Sequence, residues 1–230
     1  MKKENKLFPV MRSQRLKSAA SFMWAFAGTL LITSSVVQAS DMQIYAVPTA
    51  GKKTIVMMLD TSGSMAYSDS GQTGTRLARL KTGMNAFLDS NNSTLPDVKV
   101  GLGHYSVNGN GRSARIFVAA EPLGAVGSTQ RTLLKQAVAG LSASGNTPTS
   151  HAYAEAAAYL LGTSTKASPD SGFDASVNNV KDGNKYISPL QPAASRVSCD
   201  GQGIYVLSDG EANGSSASQS TSIMSAALET

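Results

Sequence analysis

The chain has 230 residues, enough for one large domain or for one domain with appendages. Apolar residues make up 41% of it, so it can bury a sizeable core, and its 15% of charged residues and 21 glycines exclude a coiled coil, a disordered tail and a collagen-like chain. A single cysteine excludes an internal disulfide framework and a cysteine-type zinc site.

The formal net charge of +5 would suit a nucleic-acid-binding protein, but all of this excess lies in residues 1–39. Those residues hold six lysines and arginines and one glutamate, while the remainder holds 14 basic and 14 acidic side chains. Binding to a phosphate backbone depends on a basic surface that releases counterions. The neutral balance of residues 40–230 therefore argues against a nucleic-acid partner.

Residues 1–39 have the pattern of a secretory signal peptide. An uncharged, largely apolar run over residues 19–37 follows the basic segment, and small residues precede a cleavage site after Ala39. The run is almost long enough to span a membrane, so an uncleaved anchor is the alternative. Serines and threonines within the run and the lack of a stop-transfer flank favour cleavage. We therefore expect an exported protein of the cell surface, the outer membrane or the periplasm, for which export is the only expected contact with the membrane.

After a lead-in segment at residues 40–51, residues 54–59 form an unbroken apolar run that is typical of a central strand in a parallel sheet. Helical spacing of apolar residues predicts a helix over residues 77–88. Two strands are predicted at residues 97–105 and 114–118, and the turn that joins them at residues 108–111 has the composition of a hairpin turn.

The second half of the chain begins with two predicted helices, at residues 133–141 and 150–161. Residues 163–200 lack sustained periodicity and have few large apolar side chains, so we expect an insertion that is a partly mobile surface excursion at the sheet edge opposite the ligand site. Residues 203–208 are a second buried-type strand, and a helix is expected to start at about Ser222. This order of elements predicts an α/β fold.

Oxygen donors follow both of the strongest strands. Asp60 and Asp209 come at the carboxyl ends of these strands, the edge where open α/β sheets bind ligands. Ser62 and Ser64 add hydroxyls on alternate residues of the turn after Asp60, and Thr147 adds one in a loop before a helix. Such hard donors suit Mg²⁺, Mn²⁺ or Ca²⁺ and do not suit zinc or copper. Taken alone, the turn at residues 60–64 could also be a polar turn that caps the next helix.

Together these motifs resemble a von Willebrand factor type A domain with its metal-ion-dependent adhesion site. The resemblance covers residues 52–230 and implies a doubly wound, mostly parallel, Rossmann-like sheet. In that family the two serines bind the cation directly, the threonine binds it when a ligand is present, and the aspartates bind directly or through water. The family's sheet has six strands and ends in a helix, so we expect the C-terminal part of the domain to be missing here. The metal ligands implied by the resemblance are Asp60, Ser62, Ser64, Thr147 and Asp209, with Mg²⁺ as the first expectation and Ca²⁺ or Mn²⁺ as alternatives.

A narrower likeness involves residues 43–65, which follow a long leader and are similar to the N-terminal region of the PilC-type adhesin and biogenesis proteins of type IV pili. The large insertion, with Cys199 shortly before a strand, also resembles those proteins. They are far longer, so the resemblance implies that the rest of a longer pilus-associated protein is a partner of this domain. In an oxidising compartment Cys199 would find its own partner on another chain or beyond residue 230.

These observations predict a secreted adhesion or protein-binding module whose divalent cation takes an aspartate or glutamate of a protein partner, either on a host surface or in the pilus. An assembly factor for pili, in which the metal only stabilises the fold, is the alternative. An enzyme or chaperone-type subunit is a third hypothesis, but His104 and His151 lack the partners of a Ser-His-Asp or Cys-His arrangement. We therefore expect no enzymatic activity.

Overall fold

The computed structural model describes residues 51–92, 97–107 and 109–229. The predicted signal peptide, its alternative as a membrane anchor and most of the lead-in segment lie outside the described residues. In the part that is described, no helix combines the length and the apolar character needed to cross a membrane.

The described chain forms a four-stranded sheet, a two-stranded ribbon and four α-helices. Strand β1 is parallel to β2 and β6, whereas β3 is antiparallel to β2, which gives the sheet order β3-β2-β1-β6. This confirms the predicted α/β class with a mostly parallel sheet. The elements in chain order are β1 (Lys53–Leu59), α1 (Arg76–Asp89), β2 (Lys99–Val107), β3 (Ser113–Pro122), α2 (Thr129–Ala139), α3 (Thr149–Leu161), β4 (Lys181–Asp182), β5 (Lys185–Tyr186), β6 (Gly201–Leu207) and α4 (Ala217–Leu228).

The unbroken apolar run of β1 is explained by cover on both faces of the sheet. Val56 and Met58 are fully buried in a cluster with side chains of α3 and α4. Leu59 points the other way and is buried with side chains of α1 and α2. Because successive residues of a strand face opposite sides, a strand between two helical layers needs apolar residues at every position.

Helix α4 begins earlier than the start expected at about Ser222. The side chain of Ser216 accepts a hydrogen bond from the backbone N–H of Gln219, and the Gln219 side chain accepts one from the N–H of Ser216. This capping box satisfies backbone donors that the first helical turn leaves free, which places the helix start at Ala217.

Residues 165–186 of the insertion are not the surface excursion that their composition predicts, whereas residues 192–199 are exposed. Phe173, Val180 and Tyr186 are at most 3% exposed and belong to the core beneath α3. The prediction was wrong for this part because a few large apolar side chains, too few for a separate core, suffice to complete an existing one. Segment 173–177 also covers the edge of β3, since Val177 N–H donates to the Ile116 carbonyl at 3.0 Å.

The carboxylate of Glu155, on α3, fastens the insertion to the domain. The side chain is fully buried, and its Oε1 accepts hydrogen bonds from the Thr165 hydroxyl at 2.7 Å and the Gly172 N–H at 2.6 Å. Its Oε2 accepts one from the Tyr186 hydroxyl at 2.6 Å. Burial raises the pKa of Glu155, while these hydrogen bonds act in the opposite direction. We call this group of residues the Glu155 cluster.

Part of the insertion also lies at the edge of the sheet where the predicted ligands are, and not at the opposite edge. The Asn110 side chain donates to Asp170 at 2.9 Å, and the Ser113 hydroxyl donates to the Asp170 carbonyl at 2.7 Å. Strand β3 is antiparallel, so its first residues lie beside the carboxyl end of β2. The placement at the opposite edge was therefore wrong for this segment, although none of the described hydrogen bonds joins the insertion to the five predicted ligands.

Candidate functional site

Parallel pairing of β1 and β6 brings their aspartates to one place. Leu59 is the register partner of Leu207, and the Asp60 N–H donates to the Leu207 carbonyl at 3.1 Å. The chain therefore leaves both strands side by side, with Asp60 following one and Asp209 following the other. Crevices of this kind, at the carboxyl ends of strands, are where open α/β sheets bind ligands.

Asp60 holds the two loops together. Its side chain is buried, and Oδ1 accepts a hydrogen bond from the backbone N–H of Ser62 at 2.7 Å. Oδ2 accepts the Ser208 hydroxyl at 3.1 Å and the Asp209 N–H at 3.3 Å. One carboxylate thus fixes the turn after β1 and the turn after β6 relative to each other.

The two predicted serine ligands contact each other, and one of them contacts Asp209. The hydroxyls of Ser62 and Ser64 are 3.0 Å apart, and the Ser64 hydroxyl donates to Asp209 Oδ1 at 2.8 Å. A short 3-10 helix, Gly63–Ala66, produces the sharp curl that brings hydroxyls two residues apart to the same point. Asp60, Ser62, Ser64 and Asp209 therefore form one hydrogen-bonded group.

Thr147 is brought to the same edge through its backbone. The loop before α3 is joined to the turn after β1 by two hydrogen bonds, from Gly63 N–H to the Gly145 carbonyl at 2.9 Å and from Ser144 N–H to the Thr61 carbonyl at 2.8 Å. Thr147 N–H donates to Asn213 Oδ1 at 2.9 Å, which also ties this loop to the chain after Asp209. Among these described residues, no hydrogen bond links the Thr147 side chain to the other four predicted ligands.

An arginine stands directly against the site, and the sequence did not single it out. Nη1 of Arg76, the first residue of α1, donates to Asp209 Oδ2 at 2.8 Å. Its Nε and Nη2 donate to Asp69 Oδ1 at 2.9 and 2.7 Å, and Arg79 pairs with the second oxygen of Asp69. Hydrogen bonds from Arg76 and then from Arg79 lower the pKa of Asp69. Asp69 therefore serves as the anchor of two guanidinium groups.

A cavity of about 420 Å³ opens beside these groups. Its polar wall carries both arginines and Asp209, and Met65 and Leu80 contribute apolar surface. The site is therefore open on the side of α1, where a group from another molecule can approach Asp209.

The two histidines of the described chain have structural surroundings. His104 accepts a hydrogen bond from Arg115 Nε at 2.9 Å and lies 3.1 Å from the Thr61 hydroxyl. Burial, together with the Arg115 charge, lowers the pKa of His104 to about 4, so the imidazole is neutral at physiological pH. His151 is buried in α3 with Nδ1 2.9 Å from the Ser215 hydroxyl, and burial lowers its pKa too.

The donor set fits a hard divalent cation. The hydroxyls of Ser62 and Ser64 and the Asp209 carboxylate are linked by hydrogen bonds, and the Asp60 carboxylate accepts the backbone N–H groups of Ser62 and Asp209. Oxygen ligands of this kind are those that Mg²⁺ and Ca²⁺ prefer. In the described part of the chain, no three His, Cys, Asp or Glu side chains are grouped as a metal-binding cluster. Arg76 opposes the fit, because its positive charge already neutralises Asp209.

Comparisons with known proteins give few matches. No family model matches the chain, and no curated protein matches it either. The solved structures to which it is similar include the pilus adhesin SpaC from Lactobacillus rhamnosus GG, at 26% identity and a TM-score of 0.37 over 48% of this chain. They also include the D319A mutant of the PilB minor pilin from Streptococcus sanguinis, at 16% identity and a TM-score of 0.37 over 54% of this chain.

This chain spans only 13% of the first of those proteins and 29% of the second. A TM-score of 0.37 does not establish a shared fold, so these two similarities give no information about the site described above.

Proposed function

We propose that this chain is a divalent-cation-dependent protein-binding module of the von Willebrand factor A type. The cation would be held by Asp60, Ser62, Ser64, Thr147 and Asp209, with Mg²⁺ as the first candidate. The observation that carries the proposal is the hydrogen-bonded group formed by four of these residues at the carboxyl edge of the sheet. The spacing of the three motifs supports the same assignment.

The roles of the protein groups follow from their contacts. Asp60 is buried and receives three hydrogen bonds, so it holds the two loops in register whether or not it also contacts the ion. Ser62 and Ser64 would coordinate the cation through uncharged hydroxyl oxygens, which keeps the negative charge of the site low. A cation bound there would retain its attraction for an outside carboxylate, which is the chemistry that it would supply to partner binding. The hydroxyl of Thr147 would complete the ligand set.

The proposed partner is a protein that presents an aspartate or glutamate, and the proposed setting is a pilus-associated protein on the cell surface. The support for this setting is the resemblance of residues 43–65 to the N-terminal region of PilC-type proteins, together with the leader at residues 1–39. The rest of a longer polypeptide would be a further partner. No enzymatic activity is proposed, since neither histidine contacts a candidate nucleophile that faces the open side of the site.

Two serine variants test the metal site. Ser64→Ala removes a proposed ligand, whereas Ser195→Ala removes an exposed hydroxyl of the insertion that is outside the site. Calorimetric titration of the purified protein with MgCl₂ or MnCl₂ should show at least about tenfold weaker binding for Ser64→Ala, a loss of about 1.4 kcal/mol. Ser195→Ala should stay within about threefold of the wild type.

Circular dichroism of both variants provides the control for folding. Equal affinities of the wild type and Ser64→Ala would contradict the assignment of the ligands, and a wild type that binds neither ion would contradict the proposed function.

A further inference from the structure

Arg76 occupies the position from which it can oppose a cation. Its guanidinium bridges two carboxylates, Asp69 and Asp209, with contacts of 2.7 and 2.8 Å. The Asp209 side chain is only 9% exposed, so its charge is poorly screened by solvent and attracts the guanidinium strongly. Both oxygens of Asp209 are engaged, one by the Ser64 hydroxyl and the other by Arg76.

The position of Arg76 at the start of α1 indicates which groups hold its guanidinium in place. Arg76 is the first residue of α1, and the first turn of that helix contains no acidic residue. A positive charge at a helix N-terminus is repelled by the helix dipole and by the free N–H groups there. The arginine is therefore held by the two carboxylates and not by the helix dipole.

The cation and the guanidinium need the same carboxylate. A divalent ion that engages Asp209 meets a second positive charge a few ångströms away, and the two repel each other. Arg76 can withdraw from Asp209 without losing all of its support, because Nε and Nη2 remain on Asp69. The side chain is 29% exposed and borders the cavity, so there is room for this movement.

Building on the proposed function, we infer that Arg76 is an intramolecular competitor of the cation for Asp209 and thereby determines the cation affinity of the site. Bound cation and Arg76–Asp209 pairing exclude each other, so each weakens the other by the same factor. Arg76 thus lowers the affinity of the free site for the cation. Once released from Asp209, its guanidinium faces the cavity through which a partner's carboxylate would approach.

Neighbouring arginines provide a matched pair of variants. Arg76→Gln removes the guanidinium from Asp209, whereas Arg79→Gln removes an equal charge that contacts Asp69 and the same cavity but not Asp209. Titration with MgCl₂ should show cation affinity raised about tenfold in Arg76→Gln and changed by less than about threefold in Arg79→Gln.

The outcomes separate this inference from the proposed function. If the wild type binds Mg²⁺ and Arg76→Gln binds it equally or more weakly, the competition is refuted and Arg76 only positions Asp209. An equal gain in both variants would also refute it, since the effect would then be one of overall charge. A wild type that binds no cation would overturn the proposed function. Binding by Arg76→Gln alone would then still support the competition at Asp209, whereas silence in both proteins would overturn both proposals.

A measurement on the unmodified protein covers the case in which Arg76→Gln fails to fold. In ¹⁵N-labelled wild type, the Nε–H resonance of Arg76 should shift on addition of MgCl₂, because the guanidinium loses its partner on Nη1. The Nε–H resonance of Arg131, which donates to the Gly124 carbonyl away from the site, is the internal reference. An Arg76 resonance that stays unchanged at saturating Mg²⁺ would overturn the inference.

Discussion

In the part of the chain that the structure describes, buried or nearly buried carboxylates meet hydroxyls at two places, and the two places differ in the groups that bind the carboxylates. In the Glu155 cluster every hydrogen bond comes from a neutral donor of the insertion, and the side chain is fully buried. At the Asp60–Asp209 site one carboxylate is buried and satisfied, while the other is paired with a guanidinium that borders an open cavity. A carboxylate surrounded by neutral hydrogen-bond donors stabilises the fold. A carboxylate that is paired with a charged side chain at an open cavity can instead take part in binding.

We expect substitutions at the two places to change different properties of the protein. Variants of the Glu155 cluster should lower the free energy of unfolding and leave the cation affinity of the folded protein unchanged. Variants of the proposed ligand hydroxyls and of Arg76 should change the cation affinity and leave the free energy of unfolding nearly unchanged. A variant that changes both quantities strongly would break this distinction.

Glu155→Ala is expected to have the largest effect on stability. It leaves the hydroxyls of Thr165 and Tyr186 and the N–H of Gly172 without their acceptor inside the core. We expect a loss of about 3 kcal/mol or more in the free energy of unfolding, measured by urea denaturation. Glu121→Ala, at an exposed position of β3, is the control and should change stability by less than about 0.5 kcal/mol. A loss below about 1 kcal/mol for Glu155→Ala would show that the insertion is not fastened here.

Tyr186→Phe should have an intermediate effect. The ring stays packed against Tyr159 and Phe173, but Glu155 loses the donor on Oε2 and Ser176 loses its hydroxyl partner. The free energy of unfolding should fall by about 1–2 kcal/mol. Tyr153→Phe removes a hydroxyl from a residue that is 47% exposed and should be neutral within about 0.5 kcal/mol. Equal losses in the two variants would mean that the Tyr186 hydroxyl contributes nothing specific.

The pH dependence of stability should show the smallest difference. Burial raises the pKa of Glu155 in the folded protein above its ordinary value of 4.5. The folded state therefore binds this proton more tightly, so the contribution to stability is complete below about pH 4.5 and is lost as the pH rises through the folded-state pKa. Urea unfolding from about pH 4.5 to about pH 8 should show a steeper decline in the wild type than in Glu155→Gln. Parallel curves would mean that Glu155 does not titrate differently in the two states.

Sequence patterns located most of the regular elements because those elements obey local rules. The apolar run of β1, the helical spacing in α1 and the Ala-rich α3 each lie at the predicted place. The α/β class and the mostly parallel sheet follow from their order, since a strand, a helix and a further strand favour parallel pairing. The convergence of Asp60 and Asp209 could also be anticipated, because both follow parallel strands of the same sheet.

The role of the insertion could not be read from its composition. Phe173, Val180 and Tyr186 are isolated in a polar segment, and nothing local indicates that they fill the core beneath α3. Glu155 looks like an ordinary polar residue of a helix, and its donors lie 10 to 31 residues further along the chain. A buried carboxylate is tolerated only when distant donors surround it, which is a property of the folded chain.

What the sequence determined by itself was the set of oxygen donors and the strands that deliver them, since both depend on neighbouring residues. Only the tertiary structure decided which charges meet. Arg76 is separated from Asp209 by 133 positions, and no periodicity or motif connects them. Electrostatic pairing acts through space and not along the chain, so the pairing of Arg76 with Asp209 exists only once β1, β6 and α1 have come together.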